Sequence, residues 1–409
     1  MVKQLSVLST EAEIENQKRE KLLLILSAGT FLIFFQAYMV APLIPYLAEV
    51  LNTSERMIGL SVPAYLIPYG VASLVYGILS DYIGRKRIMI ASLMAFIILT
   101  LVTGAVHSAL QLIVLRFLTG LGASGFIPLV LTLMGDLFPY HRRGQAIGWI
   151  FAAMAGGMTF GSSLGAVLVP LIGWRSIFWV VSFCTLPIWC RIYGYRRLLE
   201  SNNKVNTVSK VKLSNILEGY KSLLGVSRGL QTYGYVLLNG IFHSGVFTWL
   251  GLYFAQRYNL GTAEIGLALF GYGIPGFLFS PTIGKAADRY GRKWLIPIGF
   301  GIAGISAGIL AFDIPLIVAV TAVITLSLGY DMTQPLLAGI VTNLGGDKHR
   351  GKAMGLNVFT LFIGFGSGSF IFGEILPYGM TTALFIFCAI QIVSSFIAVP
   401  LFQKEVAVS

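Results

Sequence analysis

The sequence predicts an all-α integral membrane protein with twelve transmembrane helices in two similar six-helix halves. Hydrophobic residues make up 56% of the 409 residues and charged residues 11%, against about 45–50% and about 25% in soluble domains. Twelve apolar runs are long enough to cross a bilayer. In addition, the pattern G-x-x-x-D-x-x-G-R-K occurs twice, first at Gly77 and again 207 residues later at Gly284.

The twelve runs, called spans 1 to 12 below, follow a polar N-terminal tail of residues 1–21. Spans 1 to 6 form the N-terminal half, 22–195, and spans 7 to 12 form the C-terminal half, 230–402. Residues 403–409 form a second tail. The predicted spans lie near 22–47, 57–79, 88–106, 110–135, 145–170, 176–195, 230–255, 264–283, 294–312, 315–343, 353–376 and 380–402.

The repeat extends well beyond the two basic loops. An offset of 207 residues matches glycines, prolines and an arginine without a gap, from the start of span 2 into span 5. The two halves therefore run in the same direction. The matched pairs are Gly59 and Gly266, Pro68 and Pro275, Gly122 and Gly329, Pro128 and Pro335, Arg143 and Arg350, and Gly148 and Gly355.

The distribution of positive charge predicts the orientation in the membrane. With the N-terminus inside, 24 of the 29 Lys and Arg residues fall in cytoplasmic segments, 3 fall outside and 2 lie within spans. Positive residues accumulate on the cytoplasmic side of membrane proteins. We therefore expect both termini in the cytoplasm of a multi-pass protein of the cell (plasma or inner) membrane. The net charge of +12 thus reports topology and not a nucleic-acid partner.

The halves are joined by a basic cytoplasmic linker, 196–229. Its apolar residues recur at helical spacing, which predicts an amphipathic helix along the inner membrane surface. These residues are Leu213, Ile216, Leu217, Tyr220, Leu223 and Leu224. The three cysteines lie within apolar spans and lack metal-ligand spacing, so we expect no disulfide framework, no metal and no cofactor.

The repeated pattern resembles the signature of the loop between the second and third helices in the major facilitator superfamily of secondary transporters. The resemblance implies the two-half fold of that family, working as a monomer. It also implies that the two loops take part in gating on the cytoplasmic side. The alternative is that they are basic turns that only fix the orientation of the helices in the membrane. The gating residues carried over are Gly77, Asp81, Gly84, Arg85, Gly284, Asp288, Gly291 and Arg292.

Two charged residues within spans are candidates for proton coupling. Asp331 lies near the middle of span 10, where burial favours the uncharged form of a carboxyl, so it could exchange a proton or bind a cationic substrate. A structural Asp is the alternative. Arg116 in span 4 begins an R-x-x-x-G-x-G sequence that resembles a family pattern, which implies a part in proton movement or its control. The alternative is that the Arg116 side chain extends to the outer membrane interface.

Polar and aromatic residues within the spans are candidates for binding substrate. Gln36 and His243 match under the 207-residue offset and lie midway along spans 1 and 7. In the resembled fold, spans 1 and 7 line the central cavity. The alternative for a lone His in an apolar span is a hydrogen-bonded packing residue. The substrate-binding candidates are Gln36, Tyr38, Asn239, His243, Trp249 and Tyr330.

Span 5 carries a run of small residues, Gly157 to Gly165, that partly resembles the glycine motif of the family's exporters. Ser162 stands where that motif has Pro, and Ala166 replaces its last Gly. This departure weakens the resemblance to antiporters. The alternative is a small-residue face that packs against another helix.

Together these features predict a proton-coupled efflux transporter, resembling the drug:proton antiporter branch, for a small amphiphilic or lipophilic compound. Ala41-Pro42-Leu43-Ile44-Pro45 at the end of span 1 resembles that branch. The alternatives are a proton symporter for a small organic solute and a transporter of a lipid-like molecule. A membrane-embedded enzyme is disfavoured because the loops are short and no nucleophile–base pair is evident.

Overall fold

A computed structural model describes residues 2–138, 140–195, 221, 223–276, 278–279, 283, 286, 291–344 and 346–403. Within these ranges the protein is all-helical. Spans 1 to 6 contain helices Val2–Tyr38, Ile44–Val50, Glu55–Gly59, Ser61–Ile83, Arg85–Thr103, Ala109–Ala123, Phe126–Leu137, Tyr140–Ile172 and Trp174–Gly194. Spans 7 to 12 contain helices Ser227–Tyr258, Thr262–Phe270, Arg292–Leu310, Leu316–Leu344, Gly346–Ile375 and Met380–Leu401.

Eleven of the twelve predicted spans are represented among the described residues by helices long and apolar enough to cross a membrane. The remaining one, span 8, begins with helix Thr262–Phe270 and a 3₁₀ turn at Gly271–Gly273, and much of its second half lies outside the described residues. The predicted linker helix also lies almost entirely outside them. The polar N-terminal tail is helical, because helix Val2–Tyr38 runs through it into span 1. Neither glycine nor proline interrupts residues 2–27.

Proline and glycine set the helix ends that matter for the site. The long helix of span 1 ends at Tyr38, four residues before Pro42, because a proline ring clashes with the carbonyl of the residue four positions earlier. Gly84 and Gly291, the equivalent glycines of the two basic loops, have φ angles of 96° and 76°. Only glycine adopts this region readily, so both loops turn at the residue that the repeat predicts.

The two halves repeat the same helix packing. Span 1 packs on span 5, and span 7 packs on span 11. Span 3 packs on spans 4 and 6, as span 9 packs on spans 10 and 12. The 207-residue repeat therefore describes tertiary structure as well as sequence, as the predicted two-half architecture requires.

Glycines on spans 5 and 11 form equivalent packing faces. A Cβ added to Gly157 or Gly161 would meet the carbonyl oxygen of Phe31 or Phe35 on span 1. At the positions 207 residues later, a Cβ on Gly364 would lie 2.7 Å from the carbonyl oxygen of Leu237 on span 7, and one on Gly368 would meet a neighbouring carbonyl there. The small residues of span 5 thus bring two helix backbones together, as the packing alternative states.

The halves contact each other through spans 2 and 11 and through spans 5 and 8. At the end of the bundle predicted to face outward, the guanidinium of Arg56 pairs with the carboxylate of Glu374, with 3.2 Å between Nε and Oε1. Beside this pair, Trp249 of span 7 packs against Gly59 and Gly373. These contacts close the predicted outer side.

Candidate functional site

Arg116 is completely buried between spans 1, 2 and 4. Its Nη1 donates to the backbone carbonyl of Gln36 over 3.1 Å and to Oε1 of the same residue over 3.0 Å. Its Nη2 donates to the carbonyl of Ala37 over 2.7 Å, and Nε donates to the carbonyl of Ser61 over 3.3 Å. The guanidinium carbon lies 4.3 Å from the ring centre of Tyr65. Arg116 therefore faces protein and does not extend to the outer interface.

The carbonyls that bind Arg116 are available because the helix of span 1 ends there. The last carbonyls of a helix have no partner within it. Those of Gln36 and Ala37 are among the last of helix Val2–Tyr38, and Arg116 donates to both. A cation at this end also complements the helix dipole. Arg116 thus caps the broken helix of span 1 from span 4.

The equivalent position in the C-terminal half has a different arrangement. The 207-residue offset matches Gln36 with His243, Tyr65 with Tyr272, and Arg116 with Val323. Without an arginine between them, the two polar partners bond directly: the hydroxyl of Tyr272 lies 2.7 Å from Nδ1 of His243. One repeat therefore builds two polar centres of different chemistry.

His243 lies in a group of rings that we call the central aromatic cluster. Tyr330 stacks on the His243 ring with 3.8 Å between ring centres, and Phe365 lies 5.3 Å away. Tyr38, from the other half, contacts Phe247 and Phe365 at 5.8 Å and 6.5 Å. The cluster thus joins the two halves near the middle of spans 1 and 7. Its members are Tyr38, His243, Phe247, Tyr272, Tyr330 and Phe365.

A chain of ring contacts links this cluster to Arg116. Tyr65, which lies under the guanidinium, is 6.0 Å from Tyr69, and Tyr69 stacks on Phe362 with 4.5 Å between ring centres. Phe362 is in turn 5.7 Å from Phe365 of the cluster. The two polar centres therefore belong to one continuous aromatic region that crosses between the halves.

Several buried polar atoms in this region have no hydrogen-bond partner among the described residues. His243 Nε2, Gln36 Nε2 and the Tyr38 hydroxyl all belong to this group, and each residue is at most 4% exposed. Buried polar groups in folded proteins are nearly always satisfied by protein, water or ligand. The unpaired atoms therefore point to a place where a ligand or water is bound.

Asp331 lies next to the cluster, on span 10. It is partly buried, and its carboxylate accepts a 3.0 Å hydrogen bond from the Ser327 hydroxyl and another from the backbone N–H of Gly276 on span 8. It is close enough to the hydroxyls of Tyr272 and Tyr330 to interact with them electrostatically. The bonds from Arg116 run to spans 1 and 2, so the two charged residues lie in separate polar centres.

Two of the predicted binding residues have other contacts. The amide of Asn239 binds Gln334 and Thr333 of span 10, over 3.2 Å in each case, which ties spans 7 and 10 together. The indole N–H of Trp249 donates to the carbonyl of Ser369 over 3.1 Å, within the contacts that close the predicted outer side. Gln36, Tyr38, His243 and Tyr330 are the candidates that the structure brings to the aromatic region.

The predicted gating residues are only partly visible. Gly84 and Gly291 form the turns described above, and Arg85 and Arg292 begin the helices that follow them. Gly77 and Asp81 lie on the helix of span 2, but the side chain of Asp81 is outside the described part of the chain. Gly284 and Asp288 are outside it altogether. The role of these loops therefore stays a prediction.

Tyr272, Phe247 and Phe365 belong to the central aromatic cluster but are not among the binding residues predicted from sequence. The signal for Tyr272 was available, because the same offset that pairs Gln36 with His243 also pairs Tyr65 with Tyr272. No such signal marks Phe365, whose counterpart is Met158. Among the described residues, no group of His, Cys, Asp and Glu side chains is suited to hold a metal ion.

The family model of the Major Facilitator Superfamily matches residues 26–270 and 232–408. A relative from Bacillus subtilis, the uncharacterized MFS-type transporter YwfA, is 25% identical over 386 residues, which cover 94% of this chain and 92% of that protein. The quinolone resistance protein NorA of Staphylococcus aureus is 23% identical over 389 residues, covering 94% of this chain and 97% of its own.

Two solved structures have similar folds. A D-xylose-proton symporter has a TM-score of 0.74 at 17% identity, with 94% of this chain and 97% of the symporter covered. A bacterial homologue of the human lysosomal transporter Spinster, in an inward-facing and unoccupied conformation, has a TM-score of 0.73 at 16% identity, with 95% and 98% covered. At these identities the likeness concerns the fold alone.

Proposed function

Because the chain belongs to the major facilitator superfamily, we propose that it exports a small amphiphilic or lipophilic compound from the cell in exchange for protons. In this proposal a site between the two halves opens alternately to the two sides of the membrane. The protein lies in the cell membrane with both termini in the cytoplasm, as its charge distribution predicts. The observation that carries the proposal is the central aromatic cluster with one carboxylate beside it.

The chemistry of the cluster favours a solute with a large apolar surface. Rings from both halves contact the rings of His243 and Tyr38, whose Nε2 and hydroxyl have no hydrogen-bond partner among the described residues. Small-molecule sites are typically lined by apolar and aromatic side chains, with a few polar groups that fix orientation. The quinolone resistance protein NorA and multidrug resistance protein 3 of Bacillus subtilis, which is 31% identical over 138 residues, are relatives whose names also favour export.

Asp331 is the proposed site of proton exchange. Its carboxylate receives hydrogen bonds from Ser327 and Gly276 and is not in contact with a cation in the described residues. A membrane-embedded carboxylate of this kind takes up and releases protons as access changes. Arg116 has an indirect part in this proposal: it controls the cycle by holding the broken helix of span 1, to which Gln36 and Tyr38 belong.

Proton release tests the antiport step directly. Purified protein in weakly buffered detergent receives a lipophilic cation such as rhodamine 6G, whose planar aromatic core carries an ester carbonyl, and a pH electrode reports released protons. We expect about one proton per bound cation from the native chain and none from Asp331→Asn. Asp313→Asn is the matched control, because Asp313 is an exposed acid paired with Arg257 on the predicted outer side. Release that persists in Asp331→Asn would contradict the proposed role.

The direction of transport needs a separate measurement, because the same fold serves symporters and antiporters. Protein reconstituted into vesicles is given a proton gradient of either sign, and uptake of the labelled cation is followed. Export by antiport predicts accumulation in the compartment that starts with the higher proton concentration. Accumulation in the opposite compartment would favour the alternative, a proton symporter for a small organic solute. Movement of a labelled phospholipid would favour the lipid-like alternative.

A further inference from the structure

The hydrogen bond between Tyr272 and His243 determines which nitrogen of the imidazole carries the proton. A neutral imidazole has one nitrogen that donates and one that accepts. If Nδ1 carried the proton, the hydroxyl hydrogen of Tyr272 would have no acceptor in the described part of the chain, and Nε2 would be an unpaired acceptor. If Tyr272 donates to Nδ1, the single unsatisfied group is an Nε2–H. The second arrangement leaves fewer buried groups unpaired and is therefore favoured.

We infer that the Nε2–H of His243, held in this form by Tyr272, is the hydrogen-bond donor that recognises a carbonyl-type oxygen on a planar aromatic substrate. Tyr272 is a positioning residue, and His243 is the group that contacts the substrate. The inference rests on the proposed function, whose site it specifies further.

The surroundings of Nε2 favour this class of substrate. Among the described residues the atom has no hydrogen-bond partner, and His243 is 1% exposed. Rings of Tyr330, Phe247 and Phe365 lie within 3.8 to 5.9 Å of the His243 ring, measured between ring centres, so the groups around the donor are of the kind that pack against an aromatic substrate. A substrate that lacks an acceptor would leave the donor unpaired in a desolvated site, which weakens binding.

The N-terminal half supplies a second donor of the same kind. Gln36, the counterpart of His243, uses its Oε1 to accept from Arg116, and this fixes the amide so that its Nε2 is left as an unpaired donor. The hydroxyl of Tyr38 is also unpaired and buried. The three unpaired groups named here, in His243, Gln36 and Tyr38, are thus donors or, for Tyr38, able to donate. The site as a whole suits a substrate that accepts hydrogen bonds.

The position of the proton on the His243 imidazole is tested by nitrogen NMR on protein labelled with ¹⁵N-histidine in lipid nanodiscs. The chain has 4 histidines, so a His243→Gln variant assigns the signal. We expect a protonated Nε2 and an Nδ1 whose shift shows an accepted hydrogen bond, and we expect Tyr272→Phe to remove that second feature. A protonated Nδ1 in the native chain would overturn the inference.

The substrate class is tested with two matched pairs of probes, 9-fluorenone with fluorene and xanthone with xanthene. Each pair differs by one carbonyl group. In the native chain, we expect the ketones to shift the His243 Nε2 signal and to bind at least about tenfold more tightly than their partners. Equal binding within both pairs, or no response of Nε2 to either ketone, would overturn the inference.

Three variants separate recognition from structure. His243→Phe keeps a ring but lacks a donor, so the preference for ketones should disappear while fluorene binding remains. His243→Gln, which places an amide near the Nε2 position, should restore part of the preference. Tyr272→Phe should lower ketone affinity about tenfold without changing fluorene affinity. A ketone preference that survives in His243→Phe would contradict the assignment.

The inference and the proposed function fail in different ways. Proton release that depends on Asp331, together with a protonated Nδ1 on His243, would retain proton-coupled export and remove only the donor assignment. A donor assigned as expected, without proton release or gradient-driven transport, would retain the binding site and remove the proposed coupling.

Discussion

Gln36 and His243 occupy equivalent positions in the two halves, yet each has a different hydrogen-bond partner. Gln36 accepts a hydrogen bond from Arg116, whereas His243 bonds to Tyr272 over 2.7 Å. The fourth helix of each half also differs, with Arg116 in the first and Val323 in the second. The internal symmetry of the fold therefore places these groups, and the differences at these two pairs of positions give the two centres different chemistry.

Replacing Arg116 should destabilise the N-terminal half. Arg116→Ala leaves the carbonyls of Gln36, Ala37 and Ser61 without their donor. At about 0.6 kcal/mol for each hydrogen bond within a membrane protein, we expect a loss of about 2 kcal/mol in the free energy of unfolding. Arg191→Ala is the control, because Arg191 is an exposed arginine of span 6. Thermal unfolding followed by fluorescence measures both, and equal stability of the two variants would refute the capping role.

Bulky side chains on the glycine faces should separate helices that touch through their backbones. Gly161→Leu forces a side chain against the carbonyl of Phe35, and Gly368→Leu does the same at Ile241. Overpacking costs about 1–3 kcal/mol or more, so we expect less folded protein by size-exclusion chromatography. Gly148→Leu should be tolerated, because no atom of the described residues lies within 4 Å of a Cβ at Gly148. Similar yields for all three variants would argue against close backbone contact.

A cross-link between Arg56 and Glu374 should stop transport if the outer contacts open in each cycle. With the native cysteines replaced by serine, Arg56→Cys/Glu374→Cys is treated with a short bis-maleimide, which joins spans 2 and 11. We expect vesicle transport to fall more than about tenfold, since the site could then be reached only from one side. Each single-cysteine variant, treated alike, is the control. Undiminished transport by the cross-linked protein would mean that these residues do not separate.

Gly59 and Trp249 should be energetically coupled. A Cβ on Gly59 would overlap the indole of Trp249, so Gly59→Leu should destabilise the protein by about 1–3 kcal/mol. Trp249→Ala removes the indole that the new side chain would overlap. In that variant, adding Gly59→Leu should therefore lower the free energy of unfolding much less. Residues in contact show coupling energies of about 0.5–3 kcal/mol in such cycles. Thermal unfolding of the four proteins measures the coupling, and additive effects would show that the two residues act independently.

The fold was largely accessible from sequence because membrane helices and repeats leave strong periodic signals. The offset that pairs Gly84 with Gly291 predicts the two turns, and the cost of a guanidinium in lipid predicts that Arg116 faces protein or water. The site was less accessible, because contacts between side chains on different helices have no linear signature. Trp249 illustrates this limit: it is an aromatic residue of span 7, as Phe247 is, yet its indole packs against Gly59 and Gly373 instead of the central aromatic cluster.

The glycine faces have a mechanical consequence. At Gly157, Gly161, Gly364 and Gly368 the backbones of two helices touch directly. We therefore expect each pair, spans 1 and 5 or spans 7 and 11, to move together. Spans 5 and 11 also form the contacts between the halves. We therefore expect sliding at that boundary to move the helices that hold Gln36 and His243, and to change the distances between the rings of the central aromatic cluster.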